Sequence, residues 1–294
     1  MIRLIRSEIL KMRTTNAWWL FGIGAVVITA LALTLNCILA HFALQPFAAY
    51  VKSQTDGRSE SELSPSQAAQ LHEQWLNQHN VPAQAASIFT SGQLFGLLIV
   101  TLLAILLITN EYYHQTATTT FLTTPHRSRV VAAKLITGAG LAAVFWFISL
   151  IMNLVTGVVF LKIEGYGSQL GEGKVIEAIL LNLGAYGIWA VVGLGFGALI
   201  RSQIGATITA TVLYLVGTTI ARILFQVVHT FWIKKDWVLT AQVIVPAIAS
   251  SIMTSPAKPF PESPPQWVAA LVLVGYGVVA GVIGTLILRT RDVS

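Results

Sequence analysis

The chain has 294 residues, of which 55% are hydrophobic and only 10% are charged, with a mean hydropathy of +0.72 and a net charge of +6. A soluble domain carries about 25% charged residues, so this composition excludes a water-soluble globular protein and predicts a single all-α integral membrane unit. The one cysteine, Cys37, excludes an internal disulfide framework and a cysteine-based metal site.

Residues 1–14 predict an amphipathic helix in the membrane interface. Apolar side chains at helical spacing form one face: Ile2, Ile5, Ile9 and Met12. Basic side chains lie elsewhere on the helical wheel: Arg3, Arg6, Lys11 and Arg13. Such a helix buries its apolar face in membrane lipid and places its cations near anionic head groups. The alternative is a solvated start to the first apolar run.

Six apolar runs are long enough to cross a bilayer, which takes roughly 20 residues per helix. They cover residues 17–40, 88–109, 135–161, 175–200, 205–228 and 267–288. The first run exceeds the apolar core of a cleaved signal peptide, so we expect it to remain in the protein.

The segment 41–87 is polar and is predicted to lie outside the membrane. Ser64 precedes Pro65 as the cap of a short helix, on which His72 and His79 share a face. A zinc site needs more ligands than two histidines, and "HEQWL" departs from HExxH because position 76 is leucine. We therefore expect a solvated helix and no metal site.

The segment 229–266 predicts an outer re-entrant hairpin. Its apolar part, "WVLTAQVIVPAIASSIM" at 237–253, is short and has Pro246 in its middle. Proline breaks a helix, so two half-helices dipping into one leaflet are expected instead of a seventh span.

The distribution of basic residues predicts how the chain is oriented in the membrane. With six spans and the N-terminus inside, the inner segments hold ten of the 18 basic residues and three of the 12 acidic ones. Basic residues concentrate on the cytoplasmic side, so both termini are expected there, and the net positive charge does not indicate nucleic-acid binding. A seventh span would move Arg289 and Arg291 outside.

Polar side chains within the runs are few. Four mark a possible substrate path: Asn153, Asn182, Tyr186 and Tyr214. For the two asparagines the alternative is an interhelical hydrogen bond. No Asp, Glu or His lies near the middle of a run, which argues against an intramembrane protease or an ion-coupled transporter. Arg222, near the end of the fifth run, is expected to extend to the head groups.

Glycines with GxxxG spacing occur in the fourth and sixth runs. They are the pairs Gly193–Gly197 and Gly277–Gly281. Each pair permits close helix approach, either within the chain or across a dimer.

No P-loop is present. The stretch "GSQLGEGKV" at 167–175 has Ser168 where the motif needs glycine and Val175 where it needs serine or threonine. The chain is therefore not expected to bind ATP by that route, and no cofactor of its own is expected.

The polar segment 110–134 lies between the second and third runs and is cytoplasmic by parity. Tyr113, Ala117 and Phe121 form an apolar stripe, threonines take the other face, and Pro125 ends the helix. A helix of two to three turns is unstable alone, so a partner surface is expected. The alternative is an ordinary loop.

The sequence "NEYYHQTATTTFLTTPHRSRVVAAKL" resembles the segment after the second span in ABC-2 type transporter permeases. The matching positions are Glu111–Tyr112, Gln115–Thr116, Leu122 to Pro125, Arg127, Arg129 and Lys134. Gln115 stands where glycine is more usual.

This resemblance implies an exporter subunit that is no enzyme itself. Two permease copies, expected to be a homodimer, would recruit two ATP-binding subunits, which bind ATP and Mg. Residues 115–124 would be a coupling helix, braced by the N-terminal helix. The residues expected to couple are Glu111, Tyr113, Gln115, Thr116, Thr119, Thr120, Phe121, Leu122, Pro125 and Arg127.

The implied location is the bacterial plasma membrane. A path without buried charge suits an amphipathic or lipophilic substrate, such as a drug, an antibiotic or a lipid-like molecule. Two alternatives stay open: an ATP-independent channel, receptor or scaffold, and a membrane enzyme acting on lipid or peptide. Co-purification of an ATPase chain separates them.

Overall fold

The computed structural model describes residues 1–115, 127–200, 202–257, 260 and 263–290. Every regular element in these ranges is helical. The α-helices up to the second long apolar stretch are α1 (Ile2–Thr14), α2 (Ala17–Ala43), α3 (Phe47–Gln54), α4 (Pro65–Gln78), α5 (Val81–Phe89) and α6 (Gln93–Tyr113). Those that follow are α7 (Arg127–Ile163), α8 (Gly173–Leu199), α9 (Gln203–Val212), α10 (Thr218–Val227), α11 (Trp237–Thr240), α12 (Pro246–Thr254) and α13 (Gln266–Thr290).

Six of the described helical stretches are long and apolar enough to cross a membrane, so the prediction of six long apolar helices is confirmed. They are span 1 (Ala17–Ala43), span 2 (Val81–Tyr113), span 3 (Ser128–Ile163), span 4 (Gly173–Leu199), span 5 (Gln203–Trp232) and span 6 (Gln266–Ile287). Span 2 begins seven residues before its apolar run, and α7 starts eight residues before the third run, because polar residues continue these helices beyond the apolar stretches.

Span 2 is the central helix. Its most apolar window is 78% buried, against 17% for spans 5 and 6. It packs chiefly against span 4, which in turn contacts spans 3 and 6. Spans 1, 5 and 6 therefore leave long apolar faces uncovered by the chain itself.

Span 2 is interrupted between α5 and α6. Gly92 adopts a left-handed backbone with φ of 78°, and a Cβ there would lie 2.9 Å from the Thr29 hydroxyl oxygen. Asn153 of span 3 donates from Nδ2 to the carbonyl oxygens of Phe89 at 3.2 Å and Ser91 at 3.0 Å. These bonds satisfy carbonyls that the break leaves without helical partners, as buried backbone groups require.

Glycines bring span 4 close to two neighbours. A Cβ on Gly193 would overlap the Thr101 carbonyl oxygen of span 2, and one on Gly197 would lie 2.9 Å from the Ile105 oxygen. Gly195 faces span 6, where a Cβ would lie 2.6 Å from the Ala280 carbonyl oxygen. Of the two uses left open for Gly193 and Gly197, the structure shows packing within the chain.

The polar segment after span 1 contains the expected short helix. Ser64 caps α4 by accepting a hydrogen bond from the Gln67 backbone N–H at 3.3 Å. His72 and His79 both pack on Trp75, with ring centroids at 5.7 and 4.4 Å. Among the described residues no group of three or more His, Cys, Asp or Glu side chains is placed to hold a metal ion.

The apolar stretch after span 5 is a bent pair, defined here as Trp237–Ile244 and Pro246–Thr254. Its two helices meet at 102°, and Pro246 begins the second helix, where its missing N–H is tolerated. By length and composition alone the bent pair fits either a broken span or a re-entrant loop.

Candidate coupling site

The N-terminal helix meets the ends of spans 2 and 3 beside the undescribed residues 116–126. Helix α1 packs against the start of α7. Four charged side chains join the three elements, and we call them the ion cluster: Glu8, Lys11, Glu111 and Lys134. The ion cluster therefore ties together the two spans that flank this segment.

Each ammonium in the ion cluster contacts both carboxylates. Lys134 Nζ lies 2.7 Å from Glu8 Oε2 and 3.0 Å from Glu111 Oε1. Lys11 Nζ lies 2.8 Å from Glu8 Oε1 and 2.5 Å from Glu111 Oε1. Two cations and two anions alternate, so the group has no net charge.

Lys134 is the most buried cation of the ion cluster, with 3% of its side chain exposed. An ammonium has three N–H donors. The Lys134 ammonium donates to the carboxylates of Glu8 and Glu111 and, at 3.0 Å, to the carbonyl oxygen of Leu107. A buried ion is tolerated when it is paired and fully hydrogen-bonded, and Lys134 meets both conditions.

Lys11 closes the ion cluster on its solvent side, with 39% of its side chain exposed. Partial burial alone lowers its pKa, but hydrogen bonds and charge attraction from Glu111 and Glu8 outweigh this effect and raise the pKa above its usual value. Lys11 is therefore charged throughout the physiological range.

A cavity of about 350 Å³ opens beside the ion cluster. Its walls come from α1 and the end of span 2 and include Met12, Asn110 and His114. Tyr113, at the same end of span 2, is 70% exposed. The arrangement is a charge-neutral, hydrogen-bonded contact between three helices, with the exposed Tyr113 side chain at the same end of span 2. It holds no nucleophile–base pair that would indicate catalysis.

A family model described as ABC-2 family transporter protein matches residues 4–218, which is more than half of the chain. The chain belongs to the ABC-2 transporter family. The match includes α1 from its third residue onward and all four residues of the ion cluster, and it ends within span 5. The search of curated proteins found no match.

Membership of the ABC-2 family makes the chain a membrane component of a transporter, and its six apolar helices make it a multi-pass membrane protein. The family typically works with an ATP-binding subunit. The recognition from residues 110–135 is confirmed.

The structure places four of the predicted coupling residues. Glu111 lies in the ion cluster and is 6% exposed, whereas Tyr113 is exposed. Gln115 is exposed and has a left-handed backbone with φ of 55°. Arg127 begins α7. The others lie outside the described residues and stay a prediction: Thr116, Thr119, Thr120, Phe121, Leu122 and Pro125.

The N-terminal helix turns Glu8 and Met12, and not Ile2 or Ile9, toward the spans. Glu8 and Met12 are its buried residues, whereas Ile2 and Ile9 are 82% and 45% exposed. The basic residues Arg3, Arg6 and Arg13 are exposed, and Lys11 belongs to the ion cluster. The face turned toward the spans is thus partly ionic, because Glu8 pairs with Lys134. That the exposed isoleucines enter lipid stays a prediction.

The four residues predicted for a substrate path are all buried. Asn153 binds the break in span 2, and Asn182 donates from Nδ2 to Gln93 Oε1 at 2.7 Å. Tyr186 packs on Gly96. Tyr214 alone lines a large cavity, which is described below. Both asparagines make interhelical hydrogen bonds, which was the alternative to a role in substrate passage. That these four residues line a substrate path stays a prediction.

Two features were missed by sequence reasoning. The sequence analysis assigns no ion pair to Glu8 or Lys134: Glu8 is only an inner charge, and Lys134 is an inner charge and a matching position of the ABC-2 segment. The spacing of Glu8 and Lys11 does indicate a pair on one helix. Gln93 was treated as part of an apolar run, yet it accepts from Asn182 and Thr254 and donates to the Ser250 carbonyl oxygen. A glutamine at the end of a long apolar run is the signal that was available.

Proposed function

We propose that the chain is the transmembrane permease subunit of an ATP-driven ABC-2 exporter in the bacterial plasma membrane. Two copies form the membrane part, and two separate ATP-binding subunits bind ATP and Mg. Residues 115–124 form the coupling helix, and the exported substrate is amphipathic or lipophilic. Both termini face the cytoplasm, and α1 lies in the inner membrane interface.

The ion cluster is the observation that carries this proposal. It joins α1 to the helices on either side of residues 116–126, so a force applied to that segment reaches spans 2 and 3 together. Span 2 is also the most enclosed span, so its displacement disturbs the packing of span 4. Family membership supports the rest, because the ABC-2 family typically works with an ATP-binding subunit.

The mechanism is a two-state switch. Closure of the ATP-binding subunits moves the coupling helix, and the ion cluster carries α1 along, since separating its charges would leave them buried and unpaired. Spans 2 and 3 transmit this displacement to the dimer interface, built with spans 1 and 5, whose apolar faces the chain leaves uncovered. The substrate is released when the dimer opens outward, and each state needs its own contacts.

The test places two carboxylates on the predicted coupling helix, in the double variant Phe121→Asp, Leu122→Asp. We expect extrusion of a lipophilic dye from cells to fall to background, because the apolar contact with the ATP-binding subunit is lost. The spans should stay folded, measured by the size-exclusion profile in detergent. Co-purified ATPase and its hydrolysis rate are measured on the same preparation.

The matched control adds the same charge at two exposed inner residues, in Thr14→Asp, Ser128→Asp. This variant should keep transport and its ATPase partner. If the Phe121, Leu122 variant transports at the wild-type rate, the coupling assignment is wrong. Wild-type activity without any ATPase chain would instead support a channel, receptor or scaffold.

A further inference from the structure

Two cavities meet at Arg222, near the ends of the spans opposite the ion cluster. The first has a volume of about 420 Å³ and lies between spans 1, 2 and 5 and the second helix of the bent pair. The second has about 510 Å³ and lies between span 5 and the bent pair. Arg222 and Ser251 line both. These volumes fall in the range of small-molecule sites, roughly 300–1,000 Å³.

Arg222 is the single charged residue among those that line the two cavities. It is exposed and forms no ion pair with any acidic side chain in the described part of the chain. A guanidinium offers five N–H donors and is always charged. Its environment therefore favours an anion supplied from elsewhere.

Arg222 lies within the helix of span 5 and not at its end. The sequence predicted that span 5 ends near residue 228, but its helix continues to Trp232, ten residues beyond Arg222. At 1.5 Å per residue this is about 15 Å of helix. Ionisable side chains at such positions face cavities and mark binding sites or pathways for ions and substrates.

The hydroxyls around Arg222 are mostly engaged as donors. Thr90 donates to the Ala86 carbonyl oxygen at 2.8 Å, and Ser251 to the Ile248 oxygen at 2.8 Å. Since their protons are used within their own helices, the donors for a negatively charged ligand come chiefly from the guanidinium. Carboxylate and phosphate oxygens match its planar fork.

Apolar side chains complete both cavities. Leu94, Phe95 and Leu97 line the first. The second is lined by Ile223, Val227, Leu239, Ile248 and Phe260. A ligand with an acidic group at Arg222 can therefore lay an apolar body along the bent pair.

We propose that Arg222 binds the acidic head of a single-chain amphiphile, a carboxylate or phosphate, whose apolar body fills the cavity against the bent pair. The assignment deepens the proposed function by naming an anionic amphiphile as the substrate class. It rests on that function only for the claim that the ligand is transported. Binding itself needs no ATP-binding subunit.

The test uses the full-length chain in nanodiscs of phosphatidylcholine, which has no net charge. Saturable binding above that of empty nanodiscs is measured for fluorescent hexadecanoate and for hexadecanol with the same label. We expect hexadecanoate to bind about tenfold more tightly, the value of a charge-assisted hydrogen bond. Acetate and inorganic phosphate should compete only weakly, since they lack the apolar body.

Arg222→Gln should abolish the preference for hexadecanoate, and Arg222→Lys should keep part of it. The matched control is Lys174→Gln, which removes the same charge from an exposed residue at the start of span 4 that lines neither cavity. The control should bind like the wild type. All variants are compared at equal folded fraction by size exclusion.

Equal affinity for the acid and the alcohol in the wild type would overturn the assignment. So would equal losses in Arg222→Gln and Lys174→Gln. A gain in affinity in Glu262→Gln would show that this carboxylate, outside the described residues, occupies the guanidinium, and would overturn it as well. Failure of the coupling test with intact hexadecanoate binding would remove the exporter function and leave the binding site.

Discussion

At the scale of single residues, Lys134 of span 3 joins α1 to span 2. Its ammonium bonds α1 through Glu8, and span 2 through Glu111 and the Leu107 carbonyl oxygen. The three partners come from elements far apart in the sequence. The sequence therefore identifies the charged residues, but it does not reveal which of them pair, because the pairing depends on how the helices pack.

Lys134→Met should destabilise the protein by about 3 kcal/mol, because Glu8 and Glu111 would remain buried with Lys11 as their nearest cation. We expect a lower melting temperature in detergent and reduced coupling of ATP hydrolysis to transport. Adding Glu8→Gln to this variant should restore much of the stability, since the remaining Glu111–Lys11 pair is neutral.

The control for this prediction is Lys162→Met, which removes the same group from an exposed position at the other end of α7. It should melt within a degree or two of the wild type, as surface ion contacts contribute little. If Lys134→Met melted at the same temperature as Lys162→Met, the ion cluster would not stabilise the contact between α1 and spans 2 and 3.

Gln115 shows how a single departure from a family pattern predicts local strain. Its φ of 55° is in the left-handed region, where a residue with a Cβ costs about 1 kcal/mol more than glycine. We expect Gln115→Gly to keep or slightly raise the melting temperature and to preserve transport. Gln115→Val should lower both, because a β-branched side chain resists this conformation. Equal melting of the two variants would contradict this conformation at position 115.

At the scale of helices, hydropathy predicted each span but not its interruptions or its full extent. The sequence around Gly92 reads as part of a continuous apolar helix, so it does not reveal the break. Asn153, which donates to the Ser91 carbonyl oxygen at the break, lies 61 residues after Gly92. Helix α7 begins before the third apolar run, and Lys134 in this early part pairs with Glu8 of α1. Both features depend on contacts between helices, so no local pattern reveals them.

Gly193→Ala should destabilise the protein by about 1–3 kcal/mol, the usual cost of overpacking. The new methyl group would overlap the Thr101 carbonyl oxygen. This oxygen belongs to the span 2 backbone, so no side-chain rotation can relieve the overlap. Gly184→Ala, on the same helix with nothing within 4 Å, is the control and should be neutral or stabilising. Thermal melting of both variants in detergent checks the difference, and equal melting would contradict the close approach of spans 2 and 4.

At the scale of the whole molecule, the ion cluster and Arg222 lie toward opposite ends of the bundle. The ion cluster lies at the end of the bundle to which the basic inner segments were assigned, and Arg222 lies toward the other end. Spans 1, 5 and 6 carry their exposed apolar faces outward, which suits lipid and a second copy. Residues 110–135 were enough to recognise the family. The cavities could not be predicted from the sequence, because they form between spans 1, 2 and 5 and the bent pair, which are far apart in the chain.

The bent pair decides whether the chain crosses the membrane six or seven times. Its two helices have eight and nine residues, or about 12–14 Å each, and a 102° bend prevents them from adding up to the roughly 30 Å of a hydrocarbon core. We therefore expect the two termini on the same, cytoplasmic side. In a Cys37→Ala background, Ser61→Cys should react with an impermeant maleimide in intact cells, whereas Thr14→Cys and Thr290→Cys should react only after permeabilisation. Labelling of Thr290→Cys from outside would establish a seventh span and place Arg289 and Arg291 against the basic-inside rule.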